Sequence, residues 1–412
     1  MTPFSFVIPA SFDPREFLKS PSSLNRRWDD ARYFVSLILT KLARRDVDHL
    51  GLVRLHAKHL ANVMYQPTYA SVIAALLDGG AIERFPYSVG ERSFGFRLAA
   101  RFVANKHVRV PATDSRLIGR LERFHADASA EREARMKPVH YALAQQQTRL
   151  QIDGPEARRT LAALPSECNP FDVQGILIAD IENHEFHANV GHYGRLSNNI
   201  TSLKRELRES LHVNGDPLVS VDLSCAQPAL LAKVIRESTA ANATGTGGKE
   251  TREGTKQGKY DSSPEHDFDL YLSLVQTGRF YDFMVERLRD RGISRDEIKR
   301  KFLADVIAKK GRYPTVVEDK FRELFPSVHR FIRRINRDGL EHANLIRLLQ
   351  REESSFVIET VAAEFVTRHP YMFCLTLHDA IYTTASNLPK VEQAFHRAFD
   401  QTGFPMRLKV GS

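Results

Sequence analysis

Residues 219–235, VSVDLSCAQPALLAKVI, constrain the fold more than any other stretch of the chain. Val219 and Val221 alternate as in a buried strand, and the apolar run ALLAKVI then starts a helix. Asp222 therefore falls at the exposed end of the strand, at the junction with the helix. A carboxylate so placed is held rigidly while the neighbouring backbone carbonyl stays free, an arrangement that suits a metal ion. An Asp at a strand end is by itself usually a turn residue, so the junction points to mixed α+β structure before it points to a chemistry.

A second segment bears on the first. In FCLTLHDAIYTT (373–384), β-branched and aromatic residues flank a central His378-Asp379, as in a hairpin with polar residues at its tip. Two carboxylates on adjacent strands can hold a pair of magnesium ions ~3.5–4 Å apart for in-line phosphoryl transfer. Arg295 and Lys299, spaced i and i+4, share one face of a helix and suit a triphosphate, with the guanidinium fork on a terminal phosphate and the ammonium as a point charge. Taken alone, that pair reads as a solvated basic face, which RDEIKRKF would show anyway.

The remaining pattern sets the organisation. A chain of 412 residues suggests two or three domains. Residues 1–30 carry Pro and Ser with little periodicity and read as an N-terminal arm. Over 31–105 a helix begins near Trp28, a short helix covers 55–63, a turn falls at Gln66-Pro67, and a second helix carries Val72, Ile73, Leu76 and Leu77 up to Gly79-Gly80. The runs AIERF and FGFRL, joined by PYSVGERS, then read as a basic hairpin. Helix, helix and hairpin are the order of a winged helix, whose second helix can enter a nucleic-acid groove; the same order also serves in protein docking. Residues 106–190 are helical, with a long amphipathic helix over 113–150. The stretch 237–267 contains no Leu, Ile, Val, Phe, Met or Trp and reads as a mobile insertion. Its GTGGKET fails as a phosphate loop, because Ala243 stands at the first glycine position and Glu250 replaces the hydroxyl residue. Helical periodicity returns beyond Phe268, including a helix over 295–309, and a last helix (391–399) and the strand MRLKV complete an α+β pattern.

Composition limits the function classes. Lys plus Arg total 59 against 50 for Asp plus Glu, a net charge of +9 that favours a polyanionic partner, nucleic acid first. The three cysteines, Cys168, Cys225 and Cys374, are too scattered for a disulfide framework or a zinc cluster. No apolar run reaches the ~18 residues of a membrane span, and the opening residues show no secretory pattern, so a cytoplasmic protein with no membrane partner is expected. His184, His187 and His192 lack accompanying ligands at metal spacing. Cys225 has no implied base and is no nucleophile, and Glu352-Glu353 reads as a polar helix face.

The order of the short matches carries a resemblance. Gly194-Arg195-Leu196-Ser197, then DLSCAQPALLA, Arg295-x-x-x-Lys299, Gln350 and His378-Asp379 follow the succession found in family-A nucleotide polymerases. Over 191–412, excluding the insertion, the chain resembles both the bacterial polymerase I group of DNA polymerases and the single-subunit phage RNA polymerases. The resemblance implies a right-hand palm with helical fingers, which the winged-helix order and a helical, thumb-like region precede. It implies that Asp222 and Asp379 bind two magnesium ions, or manganese in their place, with the carbonyl of Leu223 completing one site. By the same resemblance Arg295 and Lys299 hold the incoming nucleoside triphosphate, Ser224 and Gln227 lie at the nucleotide, His378 stands beside the primer terminus, and Arg195 and Gln350 touch the nascent duplex of a DNA primer–template.

The departures are equally specific. Gln227 stands where the DNA enzymes place a glutamate that screens the sugar 2′-hydroxyl. Ile307 and Ala308 replace an aromatic residue and glycine beyond the lysine, and Ala380 follows Asp379 where the DNA enzymes have a second acid. The GRLS match favours a DNA polymerase, while Gln227 and DLSC echo the RNA enzymes and leave an RNA polymerase or primase-like enzyme as the alternative. A compact polymerase of a phage, plasmid or other mobile element fits this architecture. The rival from another class is a regulator that binds nucleic acid through its winged helix and keeps a degenerate palm.

Overall fold

The computed structural model describes residues 4–19, 24–87, 93–103, 106–243, 264–311 and 313–411. The chain forms two compact units, Met1–Asn189 with Ser197–Leu218, and Val190–Leu196 with Val219–Ser412. Both contain helices and strands, so the mixed α+β class holds. The expected boundary near residue 190 is close, but 197–218 returns to the first unit. No helix among the described residues is long and apolar enough to cross a membrane.

In chain order the first unit runs β1 (Ser5–Pro9), α1 (Trp28–Ala43), β2 (Val53–Leu55), α2 (Ala57–Val63), α3 (Tyr69–Asp78), β3 (Ile82–Phe85), β4 (Phe94–Leu98) and β5 (His107–Pro111). There follow α4 (Ser115–Glu133), α5 (Pro138–Gln147), β6 (Gln151–Ile152), α6 (Gly154–Ala163) and α7 (Val173–Glu182). Short strands β7 (Ala188–Val190) and β8 (Leu196–Asn198) precede α8 (Asn199–Ser202), β9 (Leu211–Val213) and the start of β10 (Asp216–Leu223).

Three expectations change here. The arm over 1–30 is, from Ser5, part of the core: β1 pairs antiparallel with β5, and Phe6, Val7 and Ile8 are buried. Its alternation is hidden because three successive apolar residues are covered on both faces. The single helix over 113–150 is two, divided where Lys137 takes an extended conformation before Pro138, the conformation that proline's ring favours in the residue before it. The short helix over 55–63 begins only at Ala57, since Val53–Leu55 is a strand that pairs with β4. The resulting sheet, β2–β4–β3, is antiparallel and lies with α1 and α3, whose Phe34, Val72 and Leu76 are fully buried.

The second unit takes β10 from Val219 onward, then α9 (Ala226–Ala243), α10 (Pro264–Gln276), α11 (Phe280–Arg287), α12 (Arg295–Lys301), α13 (Val316–Leu324), α14 (Pro326–Ile335) and α15 (Asn344–Ser354). It closes with α16 (Ala363–Arg368), β11 (Leu375–Leu377), β12 (Ala380–Thr384), α17 (Leu388–Thr402) and β13 (Leu408–Gly411). α9 and α10 show that 237–243 and 264–267 are helical rather than part of an insertion; the rest of that stretch, 244–263, lies outside the described residues. β11 and β12 form the expected hairpin, β12 neighbours β10, and β13 pairs antiparallel with β10 on its other side. One face of this sheet is covered by a cluster in which Phe356 lies 5.8 Å from Phe399 and 6.4 Å from Phe395.

A second aromatic core fixes α12. Phe302 lies 5.0 Å from Phe280 and 5.3 Å from Phe321, and Tyr271 lies 5.4 Å from Phe280 and from Phe325. Ser294 caps α12 by accepting from the Glu297 amide, acids fill its first turn and Lys299, Arg300 and Lys301 its last, which complements the helix dipole. The helix continues as a π-helix over Phe302–Ile307, and α15 likewise continues as one over Ser355–Ala362. Such widened turns are rare within α-helices and recur at functional sites.

Candidate active site

β10 carries the first acid. Val221 and Leu223 are buried on one face of the strand, which turns Asp222 to the other. The chain then bends sharply. Cys225 adopts a left-handed backbone (φ 55°), its thiol donates to the Gly278 carbonyl at 3.4 Å, and the Ser224 amide donates to the Arg407 carbonyl at 2.8 Å. Burial raises the Cys225 pKa, so it stays a thiol with a packing role. Gly278 is required at this bend, since its φ is +72° and a Cβ would meet Ser224 Cβ and Oγ at 3.0 Å.

The hairpin carries the second acid. His378 and Asp379 form the two-residue turn between β11 and β12, with His378 exposed and left-handed (φ 55°). The Leu223 amide donates to the Asp379 carbonyl at 3.3 Å, which fastens the two acidic strand ends together. Burial, and after it the neighbouring Asp379 carboxylate, push Asp222 up to about 7, against the pull of Lys299 and Lys409. Two carboxyl groups held this close resist ionising together, and a proton or a cation relieves them.

These residues fit a divalent cation. Asp222 Oδ1 is buried without a hydrogen-bond partner among the described residues, an acceptor that costs free energy until something positive meets it. Among the described residues no group of three or more His, Cys, Asp and Glu side chains gathers into a cage. The pair would therefore leave the rest of a cation's coordination to backbone, water or ligand oxygens.

Beside the acids lies a polar cluster of a different kind. Arg195 Nη2 donates to Glu353 Oε1 at 2.6 Å, and Gln227 Nε2 donates to Glu353 Oε2 at 2.7 Å. Glu353 is buried, and burial pushes its carboxyl up to about 7, with Arg195 lowering it and the Asp379 charge raising it further. Glu353 is thus no polar helix face, as its sequence suggested. Its neighbour Glu352 is part-exposed and binds Lys233 of α9 at 2.9 Å.

The other expected residues are distributed as follows. Lys299 is exposed and close enough to Asp222 to lower its pKa. Arg295, one turn earlier and also exposed, binds Asp282 at 2.8 Å and lies 5.6 Å over the Tyr281 ring. Gln350 precedes Glu353 by one turn of α15, and its carbonyl accepts from Ser354 Oγ at 3.0 Å. Ile307 is fully buried, with its carbonyl held by Asn336 Nδ2 at 2.7 Å, so its side chain belongs to the core rather than to a ligand surface. Ala308 is half-buried.

Two residues of the site escaped the sequence reading. Lys409 stands opposite Asp222 in the β10–β13 register, a relation between positions far apart in the chain. Glu353 did leave a signal: it follows Leu345 and Leu349 at steps of four, on the stripe that Phe356 and Val357 continue into the core. An acid at such a position is buried and needs partners.

No family model matches the sequence, and no curated protein matches it significantly.

Proposed function

We propose that the protein is a template-directed nucleotidyltransferase of the family-A polymerase type, a DNA polymerase in the first instance, in which a 3′-hydroxyl attacks the α-phosphate of a bound nucleoside triphosphate and pyrophosphate leaves. The observation that carries this reading is the joining of the Asp222 and Asp379 strand ends by the bond from the Leu223 amide to the Asp379 carbonyl, with the exposed Lys299 close enough to act on Asp222. Acids held at adjoining strand ends suit cations, and an exposed ammonium beside them suits phosphate. Magnesium at Asp222, Asp379 and the Leu223 carbonyl would supply neutralisation of phosphate charge and a more acidic 3′-hydroxyl.

The chain's own groups would do the positioning. Lys299 and Lys409 would attract the triphosphate toward the acids, and Arg295 would reach it by exchanging its exposed bond to Asp282. Arg195 is tied to Glu353 and presents its remaining guanidinium edge to a duplex; Gln350 lies on the same helix, and His378 projects from the hairpin turn. No covalent intermediate is required, so rate would come from placement and charge.

The sequence of helix, strand, two helices and hairpin over 28–98 supports the winged-helix reading of that region. Its α3, YASVIAALLD, carries no Lys or Arg, which does not favour entry into a phosphate-lined groove. The regulator reading, which depends on that helix, is therefore the weaker one. Extension of a labelled primer on DNA and RNA templates, with dNTPs and rNTPs offered separately in magnesium, tests the proposal. Incorporation supports it; none on any template, with magnesium or manganese, turns it toward the regulator.

A further inference from the structure

We propose that the cleft between α9, α10 and α14 binds a small amphipathic anion, a molecule with an aromatic body and an acidic group at its edge. The cleft lies within the second unit and is built from residues that the nucleotidyltransferase reading does not use. It stands independently of that reading.

The cleft has a volume of about 660 Å3, within the ~300–1,000 Å3 usual for small-ligand sites. Ile235 of α9, Phe268 of α10 and Phe331 of α14 supply its apolar surface. Phe331 is buried, while Ile235 and Phe268 are only half-buried and leave apolar area for a ligand to cover. Bonds outside the cleft fix its walls. Asp267 Oδ2 accepts from the Ser327 amide and hydroxyl, each at 2.7 Å, which fastens the start of α10 to the start of α14. Arg236 of α9 donates to the Gly403 carbonyl at 2.9 Å, with its guanidinium 4.8 Å over the Phe404 ring. A preformed site of this kind loses little freedom when a ligand enters.

The rim is cationic. Arg330 and Arg334 are spaced i and i+4 on α14, and both are exposed. Neither side chain makes a hydrogen bond or ion pair among the described residues. Like charges at this spacing repel, and an anion between them removes the repulsion. The Arg334 guanidinium lies 5.3 Å over the Phe331 ring, so its charge stands beside the apolar surface. Arg236 adds a third cation, and among the described lining residues Asp269 is the only acid. That balance favours an anion and rejects a cation. The rings suit an aromatic body, and the guanidinium forks suit a sulfonate, carboxylate or phosphate at its edge.

The test uses anilinonaphthalene sulfonate and its uncharged parent, phenylnaphthylamine, which differ by the acidic group alone. Both brighten in an apolar site. Binding is titrated by fluorescence in EDTA, without magnesium or nucleotide, so its outcome is separate from that of primer extension. We expect saturable binding of the sulfonate to the unmodified protein. Arg330→Ala and Arg334→Ala are each expected to weaken it several-fold and together about tenfold, with phenylnaphthylamine changed by less than about twofold. Thr239→Trp places a large ring in the cleft from the exposed face of α9 and is expected to abolish binding of both probes. Arg289→Ala removes an exposed charge of the same unit outside the cleft and should leave both unchanged.

An absence of saturable binding in the unmodified protein overturns the proposal. So does sulfonate binding that stays within about twofold in the double arginine variant, in a protein whose melting shows it folded. Equal loss of the two probes in that variant overturns it as well, because the arginines would then serve shape rather than charge. If Thr239→Trp does not fold, the arginine variants decide alone. A dimer of the unmodified protein that sedimentation detects and Thr239→Trp dissociates overturns the proposal in favour of a second copy on this face.

Discussion

Lys409 on β13 stands directly opposite Asp222 on β10 in an antiparallel pair, and side chains so placed rise on the same face of the sheet. The last strand of the chain thus brings a cation to the first acid of the candidate site. Burial and the Asp379 charge work against ionisation of Asp222; Lys409 and Lys299 work for it.

Removing that cation moves the titration. Lys409→Ala is expected to raise the Asp222 pKa further above 7, so that activity dependent on ionised Asp222 shifts to higher pH by on the order of half a unit. The pH profile of kcat/KM checks this, and an unchanged acidic limb would separate Lys409 from the site. Lys299→Ala is expected to shift the same limb and also to raise KM for the triphosphate.

Asp222 also couples stability to pH. Its folded pKa of about 7 lies above its ordinary value of 3.8, so between these values the folded state holds a proton that the unfolded state has lost. Stability from this group is present below pH 3.8 and is lost as pH rises through 7. Asp222→Asn is therefore expected to melt several degrees higher than the unmodified protein at pH 8, with the difference vanishing near pH 3. Magnesium should stabilise the unmodified protein at pH 8 and leave the variant unaffected. Equal responses to magnesium would contradict the acidic pair as its site.

Gly278 supports the same bend from outside. Alanine there meets Ser224 and the Arg407 Cδ at 3.0 Å in a left-handed backbone, at an expected cost of ~1–3 kcal/mol. Chemical denaturation of Gly278→Ala measures it. Because Ser224 lies two residues beyond Asp222, any magnesium-dependent stabilisation should fall as well.

Behind α12, Lys309 is buried against Glu318, whose other oxygen meets His329 Nε2 at 3.0 Å. Burial works to raise the Glu318 pKa, but the bonds from Lys309 and His329 outweigh it and hold the carboxyl below its usual value. Lys309→Met strands that charge and should destabilise by ~3–5 kcal/mol, with Glu318→Gln added to it recovering part of the loss. Urea denaturation of the single and double variants checks both.

Much of this was legible in the sequence where local pattern decides structure. Asp222 at a strand end, His378-Asp379 in a hairpin, and Arg295 and Lys299 on one helix face all follow from alternation, turn chemistry and helical spacing. Pairings across long separations were not legible: β1 with β5, or Asp222 opposite Lys409, depend on register that no short window contains. Glu353 fell between the two cases. Its place on the apolar stripe was visible, but charge suggested exposure, and only the tertiary structure supplies Arg195 and Gln227 as the partners that make burial tolerable. The break at Pro138 was readable from proline alone and was obscured by the charged sequence on either side.

In the proposed reaction Asp222 and Asp379 act together in nucleotidyl transfer. The most direct measurement is magnesium-dependent extension of a labelled primer–template by the unmodified protein beside Asp222→Asn and Asp379→Asn, with duplex binding measured on the same samples. Each substitution keeps shape and removes one charge. Extension by the unmodified protein is expected, with loss of nearly all synthesis in either variant and duplex binding largely retained, because Lys and Arg supply it. Near-normal extension by Asp379→Asn would contradict the proposed reaction.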